Sequence, residues 1–344
     1  MLYFSRDYQE SGHEAIFRRF LETKGEHLPP YGTDHYCLSA AEKIRSACAD
    51  PAAEVRFLTG GTQTNQLVID ALLSPWEGVV AAETGHIGTH EAGAIEWTGH
   101  KVMTLPSHDG KLDAEELRAF VKTCRDDENR EHMTDPGMVY ISHPTEYGTL
   151  YTRSELSSLS RVCREYHLPL YVDGARLAYG LAAPGTDVTL PVLAEETDAF
   201  YIGGTKCGAL IGEALVFPRG KLPERFLSRT KQHGALLAKG WAAGLQFDVL
   251  FTDGLYLKLG AHAVELALRL KAGLLERGFE LRIDSPTNQQ FLVADDALLS
   301  RLEGKADYAF WERLDDGRTV IRFATSWATE PEEVDALLEL LNDL

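Results

Sequence analysis

The sequence predicts an α/β protein with a mostly parallel sheet covered by helices, followed by a smaller C-terminal α+β domain. Over its central two-thirds, short apolar or β-branched runs alternate with amphipathic helical stretches, which is typical of a parallel sheet with helices on both faces. After about residue 222, long helical segments precede a short mixed tail. A chain of 344 residues exceeds the size at which a single core usually stops growing, so we expect one large and one small domain.

Seven apolar runs are candidate strands of the large sheet, at 54–58, 78–82, 101–105, 138–142, 168–172, 199–202 and 212–217. Helical candidates lie between them, near 63–74, 88–98, 113–127 and 153–167. Asp113 predicts a capped helix start, because the acidic residues that follow it suit the positive end of a helix dipole.

The C-terminal part has a different pattern. Long helices are predicted at 223–250 and 255–278, and the tail contains strands at 290–293 and 319–323 and a closing helix from Pro331. We therefore assign 31–222 to the large domain and 223–344 to interdomain helices and the small domain. The N-terminal segment, 1–30, is expected to pack with the small domain.

Charge and composition narrow the class of partner. The formal net charge is −18, which disfavours nucleic acid and anionic membrane as partners. The apolar runs are short and the N-terminus lacks a basic-then-apolar leader, so we expect a soluble, cytoplasmic protein. Five scattered cysteines without paired spacing indicate reduced thiols rather than disulfides or a zinc site.

Lys206 and Asp173 are the most informative pair of residues. Lys206 lies between glycines just after an apolar run, an unusual place for a surface cation, and Asp173 ends another apolar run 33 residues earlier. Pyridoxal phosphate needs an amine for its aldehyde and a carboxylate beside its ring nitrogen. The pair therefore predicts this cofactor, although Lys206 alone would be compatible with a surface turn.

The segment Gly60-Gly61-Thr62 follows one candidate strand and opens a helix. Free backbone N–H groups, the positive end of the helix dipole and the Thr62 hydroxyl could together bind an anion. A simple helix cap is an equally good interpretation of this segment by itself. Neither the three-glycine dinucleotide pattern nor the nucleotide-binding loop with Gly-Lys-Ser or Gly-Lys-Thr is present.

His86 follows the candidate strand at 78–82, and the carboxyl ends of parallel strands are where α/β proteins bind ligands. Its imidazole could lie flat on a planar cofactor or transfer a proton. His90 is four residues further along and could share a helix face with His86, but no third metal ligand is evident, so no metal site is predicted.

Two arginines are candidates for binding a carboxylate. Arg176 comes three residues after Asp173, and Arg322 lies in a late apolar strand where a guanidinium needs an anionic partner. For each of them, a substrate carboxylate and a structural ion pair remain open.

Five motifs, in order along the chain, resemble those of the low-specificity threonine aldolases. That family belongs to the β-eliminating lyase group of pyridoxal phosphate enzymes with the aspartate aminotransferase fold, fold type I. The motifs are Gly60-Gly61-Thr62, Glu83-Thr84-Gly85-His86, Asp173-Gly174-Ala175-Arg176, Gly203-Gly204-Thr205-Lys206 and Arg322-Phe323-Ala324-Thr325-Ser326-Trp327.

The resemblance implies a role for each matching residue of the cofactor site. Lys206 would bind the cofactor aldehyde covalently, and Asp173 would pair with the ring nitrogen. Gly61 and Thr62 would bind the phosphate. His86 would stack on the ring and could transfer a proton at the substrate hydroxyl.

The resemblance also implies substrate contacts and an assembly. Arg176 and Arg322 would hold the substrate carboxylate, with Ser5 as a further candidate, since Arg6 occupies the position of the serine usual in relatives. Lys231 is similar to a basic residue that relatives contribute to the cofactor site across a subunit interface. This implies a homodimer as the minimal active unit, and often a homotetramer.

The expected reaction is cleavage of L-threonine, L-allo-threonine or a related β-hydroxy-α-amino acid to glycine and an aldehyde. The base could be His86, a water that it holds, or Glu146, which lies where some relatives carry a second histidine. The nearest alternative keeps the cofactor but changes the reaction to β-elimination, racemisation or transamination. A non-catalytic cofactor-binding protein is the alternative from another functional class.

Overall fold

A computed structural model describes residues 1–342. The large sheet contains strands β2 to β8, which are Glu54–Leu58, Glu77–Ala82, Val102–Leu105, Asp135–Ser142, Leu170–Asp173, Ala199–Gly203 and Glu213–Phe217. Their spatial order is β2-β8-β7-β6-β5-β3-β4, and only β8 runs antiparallel to its neighbours. The predicted fold class, with seven mostly parallel strands, is confirmed.

The central strands are buried on both faces. Every residue of β6, β7 and β8 is buried, as are seven of the eight residues of β5. Continuous apolar runs arise because helices cover both sides of such a sheet. These helices are α2 to α9, at His35–Ala47, Gly61–Leu72, His86–Thr89, Ala94–Trp97, Ala114–Asp126, Arg153–Tyr166, Leu177–Ala182 and Leu190–Glu196.

Two predicted helices are interrupted. The single helix expected at 88–98 is wrong, because Ala92 and Gly93 adopt left-handed backbone angles (φ 51° and 73°) that separate α4 from α5. The single helix expected at 223–250 is also wrong. It is divided into α10 (Phe226–Gln232) and α11 (Trp241–Leu250), with Gly234 in a left-handed conformation between them.

The C-terminal part contains α12 (Leu255–Glu276) and a three-stranded antiparallel sheet with the order β11-β12-β9. Its elements are β9 at Gln289–Ala294, α13 at Asp296–Leu302, β10 at Ala306–Asp307, β11 at Ala309–Arg313, β12 at Thr319–Ala324 and α14 at Pro331–Leu340. The predicted strands and closing helix in this region are present, whereas α13 and β11 were not predicted.

The N-terminal segment reaches the small sheet. Strand β1 (Leu2–Tyr3) pairs in parallel with β10, and Phe4 packs edge-on against Phe323 with ring centroids 6.1 Å apart. Helix α1 (Glu14–Glu22) instead packs on α11. The domain boundaries remain a prediction. Within residues 1–342, no helix combines the length and apolar character required to cross a bilayer.

Candidate active site

The candidate site lies at one edge of the large sheet. Strands β2, β3, β5, β6 and β7 run in the same direction, so their carboxyl ends lie along the same edge. Gly61, His86, Asp173 and Lys206 lie at the end of one of these strands or a few residues beyond it. This is where an open α/β sheet usually binds its ligand.

Asp173 is buried and accepts four hydrogen bonds. Oδ1 accepts from the Tyr201 hydroxyl (2.5 Å) and the Ala175 amide (2.9 Å), and Oδ2 accepts from the Tyr140 hydroxyl (2.8 Å) and the Asn65 amide (3.0 Å). Burial acts to raise the pKa of Asp173, but nearby His86 and these donors outweigh it, so the pKa is lowered. The carboxylate is therefore kept ionised.

Lys206 follows β7 and is partly buried. Burial, followed by the charge of Arg176, lowers the pKa of Lys206 to about 8, although Asp7 and Asp173 act in the opposite direction. About a tenth of the amine is therefore neutral and nucleophilic at pH 7, far more than for an ordinary lysine. Glu213 is buried nearby, and burial raises the pKa of its carboxyl to about 8.

The start of α3 is where the sequence predicts an anion site. Gly60 offers no side-chain cap, so the first backbone N–H groups of the helix have no partner within it. Thr62 is exposed. A Cβ at Gly61 would come within 2.9 Å of the Tyr201 hydroxyl, so this position needs glycine. The arrangement is suited to a phosphate.

The His86 imidazole contacts the Glu91 carboxylate through one of its two nitrogens. Its Nδ1 is 2.8 Å from Oε1 of Glu91, and its side chain remains 39% exposed. The backbone N–H of His86 donates to Oε1 of Glu146 (2.9 Å), which also accepts from the Ser142 hydroxyl (2.6 Å). Burial raises the pKa of Glu146. The ring is thereby fixed at the pocket, and its Nε2 has no hydrogen-bond partner among residues 1–342.

Arg176 forms a buried ion pair. Its Nε and Nη2 donate to the two carboxylate oxygens of Asp7 at 2.7 and 3.0 Å, and Asn288 donates to the same carboxylate at 2.9 Å. Burial acts to raise the pKa of Asp7, but Arg176 and Lys206 hold it well below the ordinary range. Of the two possibilities left open for Arg176, the structure therefore contains the ion pair, and Nη1 takes no part in it.

Arg322 has no carboxylate partner among residues 1–342. Nη1 donates to Oε1 of Gln289 (2.8 Å), Nη2 donates to the Ser5 carbonyl (2.9 Å), and Nε is buried without a partner. The guanidinium lies 5.5 Å from the centre of the Trp311 ring. Burial, together with the charge of Arg176, lowers the pKa of Arg322 to about 10. An anionic ligand bound to Arg322 would supply the counter-charge that this buried guanidinium lacks.

Two predicted site residues have other contacts. The Ser5 hydroxyl donates to Asp307 (2.7 Å), so in this structure Ser5 faces the sheet segment β10. Lys231 is exposed on α10, with its Nζ 5.4 Å from the centre of the Tyr31 ring. The roles of Ser5 in substrate binding and of Lys231 in cofactor binding remain predictions.

The residues present fit pyridoxal phosphate. An amine with a lowered pKa, an ionised buried carboxylate and an uncapped helix N-terminus match the aldehyde, ring nitrogen and phosphate in turn. Asp173 can accept a further donor, because the Tyr140 hydroxyl has an alternative partner in Ser142, 3.2 Å away.

Comparison with known proteins identifies the family. Residues 11–292 match the model for the β-eliminating lyases. The chain belongs to this family.

Two low-specificity L-threonine aldolases are also similar. The one from Pseudomonas sp. strain NCIMB 10558 is 32% identical, over 90% of this chain and 88% of its own. The one from Pseudomonas aeruginosa is 30% identical, over 92% of this chain and 90% of its own.

Solved structures of family members and of more distant proteins have the same fold. Threonine aldolase from Leishmania major superposes with a TM-score of 0.95 at 42% identity, covering 99% of this chain and 98% of that one. Aspartate aminotransferase from Thermus thermophilus gives a TM-score of 0.72 at 18% identity, covering 99% and 91%, and supports the fold alone. The family resemblance inferred from the motifs is confirmed.

Several residues that shape the family site were not predicted. Five buried residues form hydrogen bonds with predicted site residues, and they are Asp7, Asn65, Glu91, Tyr140 and Tyr201. Their partners are distant in sequence, and no local pattern distinguishes these side chains from ordinary polar or aromatic ones.

The Asp7–Arg176 pair makes a testable contribution to stability. Asp7→Asn leaves a buried guanidinium without its counter-ion, so we expect unfolding to become easier by about 3–5 kcal/mol. The difference from wild type should shrink below about pH 4, because a carboxylate with a depressed pKa contributes its stability above the unfolded value and loses it as the pH falls.

Denaturant unfolding of both proteins, at neutral and at acidic pH, measures this difference. Asp335→Asn is the matched control, since Asp335 pairs with Arg269 on the surface, where both side chains are about half exposed. A similar loss in the two variants would contradict the expectation.

Proposed function

We propose that this protein cleaves L-threonine and related β-hydroxy-α-amino acids to glycine and an aldehyde, as a carbon–carbon lyase with pyridoxal phosphate as its cofactor. Membership of the β-eliminating lyases and similarity to two low-specificity L-threonine aldolases support this proposal. The structural observation that carries it is the His86 imidazole, held at Nδ1 by Glu91 so that Nε2 is free to accept the proton of a β-hydroxyl.

Lys206 and Asp173 act on opposite ends of the cofactor. When bound, pyridoxal phosphate supplies an aldehyde for condensation with amines and a ring that accepts the electron pair of a breaking bond. Lys206 would hold the cofactor aldehyde through its amine. Asp173 keeps a proton on the ring nitrogen through its ionised carboxylate. Gly61 and Thr62 bind the phosphate with backbone N–H groups and a hydroxyl.

Arg322 and His86 bind and orient the substrate. The Arg322 guanidinium, which lacks a carboxylate of its own, binds the substrate carboxylate, and Arg176 can add a contact through Nη1. This anchoring fixes the direction of the Cα–Cβ bond and places the β-hydroxyl at the pocket wall. Nε2 of His86 removes the hydroxyl proton as the bond breaks.

Product analysis tests the proposal directly. Purified protein loaded with pyridoxal phosphate should release glycine and acetaldehyde from L-threonine, and glycine and benzaldehyde from phenylserine. β-Elimination of threonine would instead yield 2-oxobutanoate and ammonia. If the keto acid were the main product, the protein would be a β-eliminating lyase rather than an aldolase.

Arg322 makes a second prediction. Arg322→Gln should raise the KM for L-threonine by about 10- to 100-fold with a smaller change in kcat, because a hydrogen bond to a charged group contributes about 1.5–3 kcal/mol. Arg313→Gln is a matched control on the neighbouring strand, where the side chain donates to Gly317 and Thr319 outside the site. Equal KM values for Arg322→Gln and wild type would exclude this role.

We also propose that the active unit is a homodimer or homotetramer and that the protein is cytoplasmic. Lys231 is exposed on α10, where it could reach the site of a second copy. All five cysteines are free and buried, which suits a reducing compartment. Analytical ultracentrifugation of wild type and Lys231→Ala, with cofactor content measured per subunit, tests the assembly.

A further inference from the structure

A buried chain of polar side chains extends from His86 to Asp173. Glu91 contacts His86, and Asn65 contacts both Glu91 and Asp173. Asn65 has no role in the function proposed above, and Glu91 enters it only as the contact that holds Nδ1 of His86. Asn65 is 1% exposed and the Glu91 side chain is fully buried, so bulk water does not provide hydrogen bonds to their polar groups.

The orientation of Asn65 is fixed by its three hydrogen bonds. Its Nδ2 donates to Oε1 of Glu91 (2.7 Å) and to Oδ2 of Asp173 (3.0 Å), while its Oδ1 accepts from the Tyr171 hydroxyl (2.8 Å). A reversed amide would place its oxygen against two carboxylates. Both amide hydrogens and the carbonyl are therefore committed.

Glu91 must act as a hydrogen-bond acceptor in this chain. Its Oε1 accepts from Asn65 and lies 2.8 Å from Nδ1 of His86, whereas its Oε2 is buried without a partner among the described residues. An ionised carboxylate has no hydrogen to give, so Nδ1 of His86 carries the proton in this contact. The neutral imidazole then has its lone pair at Nε2.

We infer that Glu91 is the positioning residue that decides which nitrogen of His86 carries the proton, and that Asn65 connects this contact to Asp173. With Nδ1 protonated, Nε2 can accept a proton from the substrate hydroxyl. Glu91 then stabilises the imidazolium that forms. Without this carboxylate, the other tautomer would present Nε2–H, which cannot act as a base.

Other groups around His86 have opposing effects. The His90 ring stacks on it at 5.6 Å with an interplanar angle of 23°, and burial, followed by the charges of His86 and Arg322, lowers the pKa of His90. Asp173, at the end of β6, lies close enough to His86 to interact with it electrostatically, and Glu146, in the loop after β5, accepts from the backbone N–H of His86. Of these groups, only Glu91 touches an imidazole nitrogen of His86, so its removal should have the largest effect on that ring.

Glu91→Gln, studied as the cofactor-loaded protein, tests the inference. Glutamine keeps the size and one acceptor oxygen but removes the charge, so the imidazolium loses stabilisation. We expect kcat for L-threonine to fall by about 10- to 1000-fold while KM changes by about twofold or less. The acid limb of the kcat/KM profile should move to lower pH by about one unit.

Asn65→Ala tests the connection with a readout that does not depend on turnover. Loss of a donor to Asp173 should shift the pH titration of the visible absorbance of the bound cofactor. The acid limb should move to higher pH, opposite to Glu91→Gln and by less, because Oε1 of Glu91 loses a competing donor and accepts more strongly from the imidazolium. Gln66→Ala is the matched control, because Gln66 lies on the same helix and donates to the Ala94 carbonyl (2.9 Å) outside the chain of contacts.

The outcomes separate this inference from the function on which it rests. Wild type that binds no cofactor or releases no glycine would refute the proposed function itself. If wild type is active, an unchanged acid limb and an unchanged absorbance titration in both variants would overturn the inference. Lower melting temperature and lower cofactor content without either shift would show a purely structural role and would overturn it too. If Glu91→Gln does not fold, Asn65→Ala decides through the same two measurements.

Discussion

Replacing Lys206 by alanine is expected to reduce cleavage of L-threonine by at least about 1000-fold, because the variant loses the amine that would hold the cofactor aldehyde. Lys206 lies at the carboxyl edge of the sheet, and burial lowers its pKa to about 8, so its amine is nucleophilic near neutrality. Steady-state kinetics with L-threonine measure the loss. Borohydride reduction and peptide mapping of wild type should place the reduced cofactor adduct on this residue.

Two further variants distinguish a nucleophile from a structural cation. Lys206→Arg keeps the positive charge but has no amine that condenses with an aldehyde, so it should lose as much activity as Lys206→Ala. Lys221→Ala should retain wild-type activity, since Lys221 pairs with Asp198 (3.0 Å) on the surface. If Lys206→Arg retained more than about a tenth of the wild-type kcat, the residue would act as a charge rather than as a nucleophile.

The fold was predictable because buried parallel strands leave continuous apolar runs in the sequence. All seven strands of the large sheet lie where these runs were found. The interruption of the helix expected at 88–98 was not predictable, because Ala92 and Gly93 change the backbone direction without altering the periodicity. Glu91, whose carboxylate contacts His86, lies in the break between these two helices, so the interruption lies beside the site.

In the candidate site, too, some residues could be predicted from the sequence and others could not. Lys206 and Asp173 were recognisable because charged residues at the ends of apolar runs are unusual. Their supporting residues were not recognisable, because a buried asparagine in a helix looks like an exposed one in the sequence. The ion pair of Arg176 with Asp7 joins residues 169 positions apart, and only the folded chain distinguishes that pair from a free substrate-binding arginine.

Asp173→Asn is expected to lower kcat by about 100- to 1000-fold while leaving the cofactor bound. An amide cannot hold a proton on the ring nitrogen, so the ring accepts electrons less readily. Four groups donate hydrogen bonds to the Asp173 carboxylate: the hydroxyls of Tyr140 and Tyr201 and the amides of Asn65 and Ala175. The NH₂ group of an asparagine at this position would face some of these donors, so some of the hydrogen bonds would be lost.

The visible absorbance of the cofactor, measured beside kcat, separates the chemical loss from a structural one. In Asp173→Asn the pH titration of that absorbance should shift together with the fall in kcat, whereas a misfolded variant would lose bound cofactor instead. Asp126→Asn removes a carboxylate from an exposed pair with Lys122 (2.8 Å) and should alter neither quantity. An Asp173→Asn protein that kept its cofactor and more than about a tenth of the wild-type kcat would show that the ring nitrogen does not depend on this carboxylate.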